Sequence, residues 1–112
     1  MVVLFWASWC TPCQREQPGV NSVADGLAGT GVHFVGVSVD VNRSAARSYL
    51  SRYTVPYESL IDQNDTMVVD FEVAGPPSTF VIGRTGRVAA QLLGELDIPT
   101  LRADIATAQA GP

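Results

Sequence analysis

The apolar positions of this chain change their period along the sequence, and each change predicts a different element. Val2–Trp6 is a continuous apolar run, typical of a strand that is covered on both faces. From about Cys10 to Leu27, apolar residues recur at the spacing of one helical face. Val32–Val39 is a valine-rich run that predicts a second strand. A helix between these strands requires them to be parallel.

The second half of the chain continues the alternation of strands and helices. Its two last strands are separated by the turn sequence Thr85-Gly86, which predicts an antiparallel hairpin. The sequence therefore predicts one α/β domain over 1–112, with a mixed four-stranded sheet covered by helices on both faces. The further predicted elements are a helix over Arg43–Tyr53, a short helix from Asp62, the strands Thr79–Ile82 and Val88–Leu93, and a helix from about Pro99 to Ala108.

Composition narrows the classes of function. The chain has 112 residues, is 46% hydrophobic and carries a formal charge of −4. Its seven basic residues are all arginines and lie scattered, so we expect no surface that follows nucleic-acid phosphates. No apolar stretch is long enough to span a bilayer. Because a strand directly follows Met1, we expect that N-terminal strands, and any membrane anchor, precede this sequence.

The only two cysteines lie three residues apart in Trp9-Cys10-Thr11-Pro12-Cys13, between a predicted strand and a predicted helix. A helix N-terminus leaves N–H groups unpaired and carries a partial positive charge, and both stabilise a thiolate. A structural zinc site needs four ligands, and His33 is the only other soft or imidazole donor. A structural disulfide across so short a loop removes little entropy from the unfolded chain. The pair therefore predicts thiol–disulfide exchange without a metal.

The segment Phe5–Cys13, followed by Glu16 and Pro18, resembles the thioredoxin fold and, within it, the TlpA/ResA branch of bacterial thiol–disulfide oxidoreductases. Val37–Asp40 resembles the second strand of that branch and the acid that ends it. Pro77–Phe80 resembles its cis-proline loop. Three features depart from the family pattern: the absence of its extra N-terminal strands, Gly83 where the branch often has an acid, and Pro76 before the candidate cis-proline.

The resemblance assigns a role to each candidate site residue. Cys10 is expected to be the exposed attacking thiol, and Cys13 the buried resolving thiol. Glu16 is expected to exchange protons with the buried cysteine, since Leu4 stands where classical thioredoxins have a buried aspartate. The alternative for Glu16 is a solvated glutamate favoured by the helix dipole, and for Trp9 a packing aromatic. The candidate substrate-binding residues are Trp9, Thr11, Pro12, Pro76 and Pro77.

These residues predict a thiol–disulfide oxidoreductase that acts on protein disulfides and needs no organic cofactor beyond its own dithiol. The resemblance implies an extracytoplasmic reductant of the cytochrome c maturation type. It would receive its electrons from a membrane-bound or soluble thiol donor. The alternatives are a disulfide-forming oxidase and a non-catalytic binding domain. A peroxidase is less expected, since neither cysteine has a peroxidatic context. We also expect weak homodimers, because Val32–Val39 would form an unpaired edge of the predicted sheet.

Overall fold

The computed structural model describes residues 1–111, in which strands and helices alternate along the chain. Within these residues, no helix is both long enough and apolar enough to cross a membrane. The strands are β1 (Val2–Trp6), β2 (Phe34–Ser38), β3 (Ser59–Ile61), β4 (Ser78–Ile82) and β5 (Val88–Leu93). The helices are α1 (Thr11–Gly26), α2 (Arg43–Arg52), α3 (Thr66–Asp70) and α4 (Ile98–Ala110).

The strands form one mixed sheet in the order β3-β2-β1-β4-β5, with β1 at its centre. β1 pairs in parallel with β2, as the helix between them requires. On its other side β1 pairs antiparallel with β4, which forms the predicted hairpin with β5. The predicted α/β class is confirmed. β1 therefore lies between β2 and β4.

The predicted number of strands was one too few. β3 pairs in parallel with β2, with Gly36 opposite Ser59, and the sequence analysis missed it because three residues are too few to show a period. β2 is consequently an interior strand, and the edges of the sheet are β3 and β5. The unpaired edge from which we expected dimerisation does not exist at Val32–Val39.

Side chains of β1 alternate between two helical layers, because successive residues of a strand point to opposite faces. Val2 and Leu4 pack in one cluster with residues of α1 and α4. Trp6 lies on the same face and stacks on Tyr49 of α2, with ring centroids 4.4 Å apart. Val3 and Phe5 pack on the opposite face, where α3 contributes its apolar side chains. Both faces are therefore covered, as predicted.

Side chains at the helix N-termini fix where three of the helices begin. Asn42 accepts a hydrogen bond from the Ala45 amide and begins α2. The carboxylate of Asp97 accepts from the Thr100 amide at the start of α4. α3 begins at Thr66 rather than at Asp62, but the Asp62 carboxylate still accepts hydrogen bonds from two amides in its first turn. These contacts satisfy amides that a helix leaves unpaired.

The absence of a side chain at Gly36 lets Trp6 and Ser59 meet across β2. The indole Nε1 of Trp6 donates to Ser59 Oγ at 2.9 Å. A Cβ at Gly36 would overlap Ser59 Oγ and lie 2.9 Å from Trp6 Nε1. We expect Gly36→Ala to lower the free energy of unfolding by about 2–3 kcal/mol, through overpacking and loss of this hydrogen bond.

Urea denaturation measures this effect, with Gly26→Ala as the matched control. Nothing lies within 4 Å of a Cβ built at Gly26, so that variant should be as stable as the parent or slightly more stable. Equal stabilities for Gly36→Ala and the parent would show that β2 and β3 can separate without cost at this point.

Candidate active site

The two cysteines lie at the junction between β1 and α1 and are joined in a disulfide, with Cα atoms 5.3 Å apart. Cys10 is the residue that caps α1, and Pro12 lies in its first turn, where a missing N–H costs nothing. The Cys13 amide donates to Cys10 Sγ at 3.2 Å. An amide in this position, together with the helix N-terminus, would stabilise a thiolate on Cys10 after reduction.

Cys10 is not exposed in the oxidised state, contrary to our expectation. The residue is 3% exposed and Cys13 is 1% exposed. Both cysteines pack in an apolar cluster with Trp6 of β1 and Tyr49 of α2, so side chains of the sheet and of α2 cover the disulfide. Trp9 is instead the exposed residue, at 66%. This exposure argues against a packing role for Trp9, and its role in binding stays a prediction.

Glu16 is buried, which excludes the solvated glutamate that we had kept as an alternative. It is 8% exposed and follows the buried Cys13 by three residues, on the same side of α1. Burial raises the pKa of Glu16 to about 7; a hydrogen bond from the Leu96 amide opposes this, and the nearby charge of Glu95 adds to it. The Leu96 N–H donates to Glu16 Oε1 at 2.9 Å. Glu16 can therefore hold or release a proton near neutral pH.

The proline loop lies at the same end of the sheet as the disulfide. Phe5 of β1 is opposite Ser78 of β4, so the residues before β4 lie beside the end of β1 that leads to Cys10. The peptide bond between Pro76 and Pro77 is cis, as the resemblance implied for Pro77. Pro77 is buried and Pro76 half-buried, and the Pro77 carbonyl accepts a hydrogen bond from the Gly94 amide.

The remaining candidates differ in their exposure. Thr11 is exposed and Pro12 is half-buried, so both can contribute to the surface around the disulfide. Whether any of the five candidates binds substrate stays a prediction. The structure places both proposed groups, the Cys-Thr-Pro-Cys segment and the proline loop, at the same end of the sheet.

A buried hydrogen-bonded network beneath the disulfide was missed by the sequence analysis. The Tyr49 hydroxyl lies 3.2 Å from the Cys13 carbonyl oxygen and 2.9 Å from Gln17 Oε1. Gln17 Nε2 donates to the Tyr57 hydroxyl at 2.8 Å and to Asn21 Oδ1 at 2.9 Å. Burial raises the pKa of Tyr57 to about 12, so this hydroxyl stays protonated. The available signal was Gln17, a polar residue on the buried side of α1.

A second buried polar group, which the sequence analysis did not predict, surrounds Asp40. Its carboxylate accepts hydrogen bonds from the amide of Ser8, the hydroxyl of Ser8 and the hydroxyl of Ser38. The Ser8 carbonyl in turn accepts from Gln14 Nε2 at 2.9 Å. These contacts fix the segment between β1 and Cys10.

Known proteins are similar in sequence to most of this chain. The thiol:disulfide interchange protein HelX of Rhodobacter capsulatus is 36% identical over 106 residues, covering 92% of this chain and 58% of that protein. The thiol-disulfide oxidoreductase ResA of Bacillus thuringiensis is 28% identical over 91 residues, covering 81% of this chain and 53% of that protein. This chain thus spans between about half and three fifths of the length of these relatives.

Solved structures agree with the sequence comparison. The structure of MTB DsbF in its mixed oxidised and reduced forms matches with a TM-score of 0.89 and 28% identity, over 96% of this chain and 79% of that one. The predicted thioredoxin-like fold and the resemblance to ResA-type proteins are confirmed. The profile of the AhpC/TSA family matches residues 1–91, which contain both cysteines, Glu16 and the proline loop. On this match, the chain belongs to the AhpC/TSA family.

Proposed function

We propose that this chain is a thiol–disulfide oxidoreductase that exchanges electrons with protein disulfides through Cys10 and Cys13. The observation that carries the proposal is a disulfide at a helix N-terminus with a buried glutamate one turn further along the helix. The proposal takes the dithiol itself as the redox group.

The proposed reaction proceeds in two exchange steps from the reduced protein. The Cys10 thiolate attacks one sulfur of a substrate disulfide, forming a mixed disulfide and releasing the other substrate sulfur as a thiolate. The Cys13 thiolate then attacks Cys10 Sγ, which closes the Cys10–Cys13 disulfide and releases the second substrate sulfur. Two electrons pass to the substrate. The amide of Cys13, aimed at Cys10 Sγ, stabilises the thiolate required for the first step.

Glu16 is the proposed proton acceptor for the second step. A buried thiol needs a base before it can attack, since only the thiolate is nucleophilic. With its pKa raised to about 7 by burial, Glu16 can take a proton near neutral pH and later return it to solvent or to a departing thiolate.

The finer parts of the proposal are its location and its direction. We propose an extracytoplasmic reductant of the cytochrome c maturation type, reduced in turn by a membrane-bound or soluble thiol donor. The similarity to HelX and ResA supports this class of protein. A disulfide-forming oxidase is the competing direction, because the potential depends on how far the Cys10 thiolate is stabilised.

The reduction potential of the Cys10–Cys13 couple tests the proposal directly. The protein is equilibrated against glutathione and dithiothreitol buffers, and the reduced fraction is read by thiol alkylation and mass. A potential near that of thioredoxin, about −270 mV, is expected for a reductant. A value near about −120 mV would establish the oxidase direction instead. A disulfide that does not exchange at all would leave a non-catalytic binding domain.

A further inference from the structure

Asp40 has an unusual environment for an acidic side chain outside the cysteine helix. It is 5% exposed, and its carboxylate accepts hydrogen bonds from Ser8 and Ser38. The Ser8 amide lies 3.0 Å from one carboxylate oxygen and 3.2 Å from the other, and the Ser38 hydroxyl lies 2.7 Å from Oδ2. The Ser8 amide and the two serine hydroxyls donate in these contacts, and a carboxylate can accept all of them.

Within the described residues, the carboxylate of Asp40 takes part in no ion pair. Among residues 1–111 the one ion pair joins Arg15 to Glu95, far along the chain from Asp40. The shallow cavity beside Asp40 is lined by the charged residues Arg43, Asp62 and Asp65, and none forms an ion pair with it. A buried charge without a cation acts on its neighbours over several ångströms, since the protein interior screens it weakly.

Asp40 is hydrogen-bonded to the segment that leads into Cys10. Ser8, which donates both its amide and its hydroxyl to Asp40, precedes Cys10 by two residues, and two residues of chain span at most about 7 Å. Val39, the neighbour of Asp40 in the chain, packs against the cluster that contains both cysteines. Burial raises the pKa of Tyr49 in that cluster, and among the nearby groups that add to this rise Asp40 contributes least.

We propose that Asp40 is a positioning residue that holds the segment before Cys10 and, through its negative charge, disfavours the Cys10 thiolate, making the couple more reducing. This proposal rests on the proposed function of the same site. A thiolate near a carboxylate is less stable than one facing only a helix N-terminus. Destabilising the thiolate destabilises the reduced protein relative to the disulfide, which lowers the reduction potential.

Asp40→Asn tests the proposal by removing the charge while keeping an oxygen that can accept the Ser8 amide. Its amide nitrogen can donate to a serine hydroxyl, which also accepts. We expect the exchange equilibrium with glutathione to shift about tenfold toward the reduced protein, equivalent to about 30 mV. The thiolate-to-thiol ratio of Cys10, followed by ultraviolet absorbance of the reduced protein, should rise in the same direction.

The direction in which Asp40→Asn shifts the exchange equilibrium distinguishes a charge effect of Asp40 from a purely positioning role. If Asp40 served only to position the segment, its loss would misalign Cys10 with the helix N-terminus, and the thiolate would become less stable. A shift toward the disulfide would therefore overturn the proposed charge effect. Asp40→Ser also removes the charge, so it provides a second uncharged variant if Asp40→Asn does not fold.

Asp62→Asn is the matched control. Asp62 is also a buried carboxylate that accepts two hydrogen bonds from amides, but those amides belong to α3 rather than to the segment before Cys10. The equilibrium constant for exchange of Asp62→Asn with glutathione should stay within about twofold of that of the parent. A parent protein that exchanges while Asp40→Asn remains within twofold of it overturns this inference alone. A parent disulfide that does not exchange overturns the proposed function and this inference with it.

Discussion

Cys13→Ser should form a long-lived covalent complex with substrate proteins, while Cys10→Ser should lose disulfide exchange by at least about a thousandfold. Serine at position 13 removes the nucleophile that resolves the mixed disulfide, so the Cys10 adduct persists. Serine at position 10 removes the attacking group, and the remaining Cys13 lies inside α1 rather than at its N-cap, where a thiolate is stabilised.

Both effects are measured with a disulfide-bonded model protein such as insulin. Turnover follows the turbidity of the released chain, and the mixed disulfide appears on a non-reducing gel and by intact mass. An active Cys10→Ser variant would show that Cys13 is the attacking thiol and would reverse the assigned roles.

Glu16→Gln should stabilise the oxidised protein at pH 8 by about 2–3 kcal/mol and have almost no effect below pH 4.5. The pKa of Glu16 rises from 4.5 to about 7 on folding, mainly because the carboxylate loses its solvation. Between these values the folded protein binds more protons than the unfolded chain, so stability falls as the pH rises through this window. Glutamine has no proton to lose and keeps an oxygen for the Leu96 amide.

The measurement is urea denaturation of parent and variant at several values between pH 4 and pH 8, with the disulfide intact so that the cysteines do not titrate. The difference in unfolding free energy should grow between about pH 5 and 7 and then level off. Glu58→Gln is the control, because Glu58 is exposed and is not among the charges that act on Glu16, so it should change the profile little. A difference that is constant with pH would mean that Glu16 titrates normally in the folded protein.

Much of this fold was predictable because its signals are local. β1 is five consecutive apolar residues, and the cysteine pair directly follows it, so strand, cap and helix could be placed from one short segment. The hairpin of β4 and β5 carried its own turn sequence. β3 could not be predicted in the same way, since three residues carry no usable period and its pairing depends on the distant Gly36.

The site was predictable in its residues but not in its environment. Glu16 could be named from the family resemblance together with its spacing to Cys13, yet its environment includes Leu96, which lies 80 residues further along the chain. Asp40 and Ser8 are 32 residues apart, and nothing in their local sequence indicates that they meet. The burial of Cys10 has the same origin, because α2 supplies part of the cluster around it. Contacts between distant segments decide burial, and burial decides proton affinity.

The central position of β1 has a consequence for how this site tolerates change. The strand leads directly to Cys10, and its pairing of Phe5 with Ser78 also sets where the proline loop lies. A slip of one residue in either pairing would turn every buried side chain of β1 toward the opposite layer. Alternate side chains of β1 pack in two different apolar clusters, so this packing prevents β1 from shifting relative to β4. The dithiol therefore cannot shift relative to the proline loop. The hydrophobic core fixes this alignment. Mutations that preserve the core can therefore alter the surrounding loops without moving the dithiol relative to the prolines.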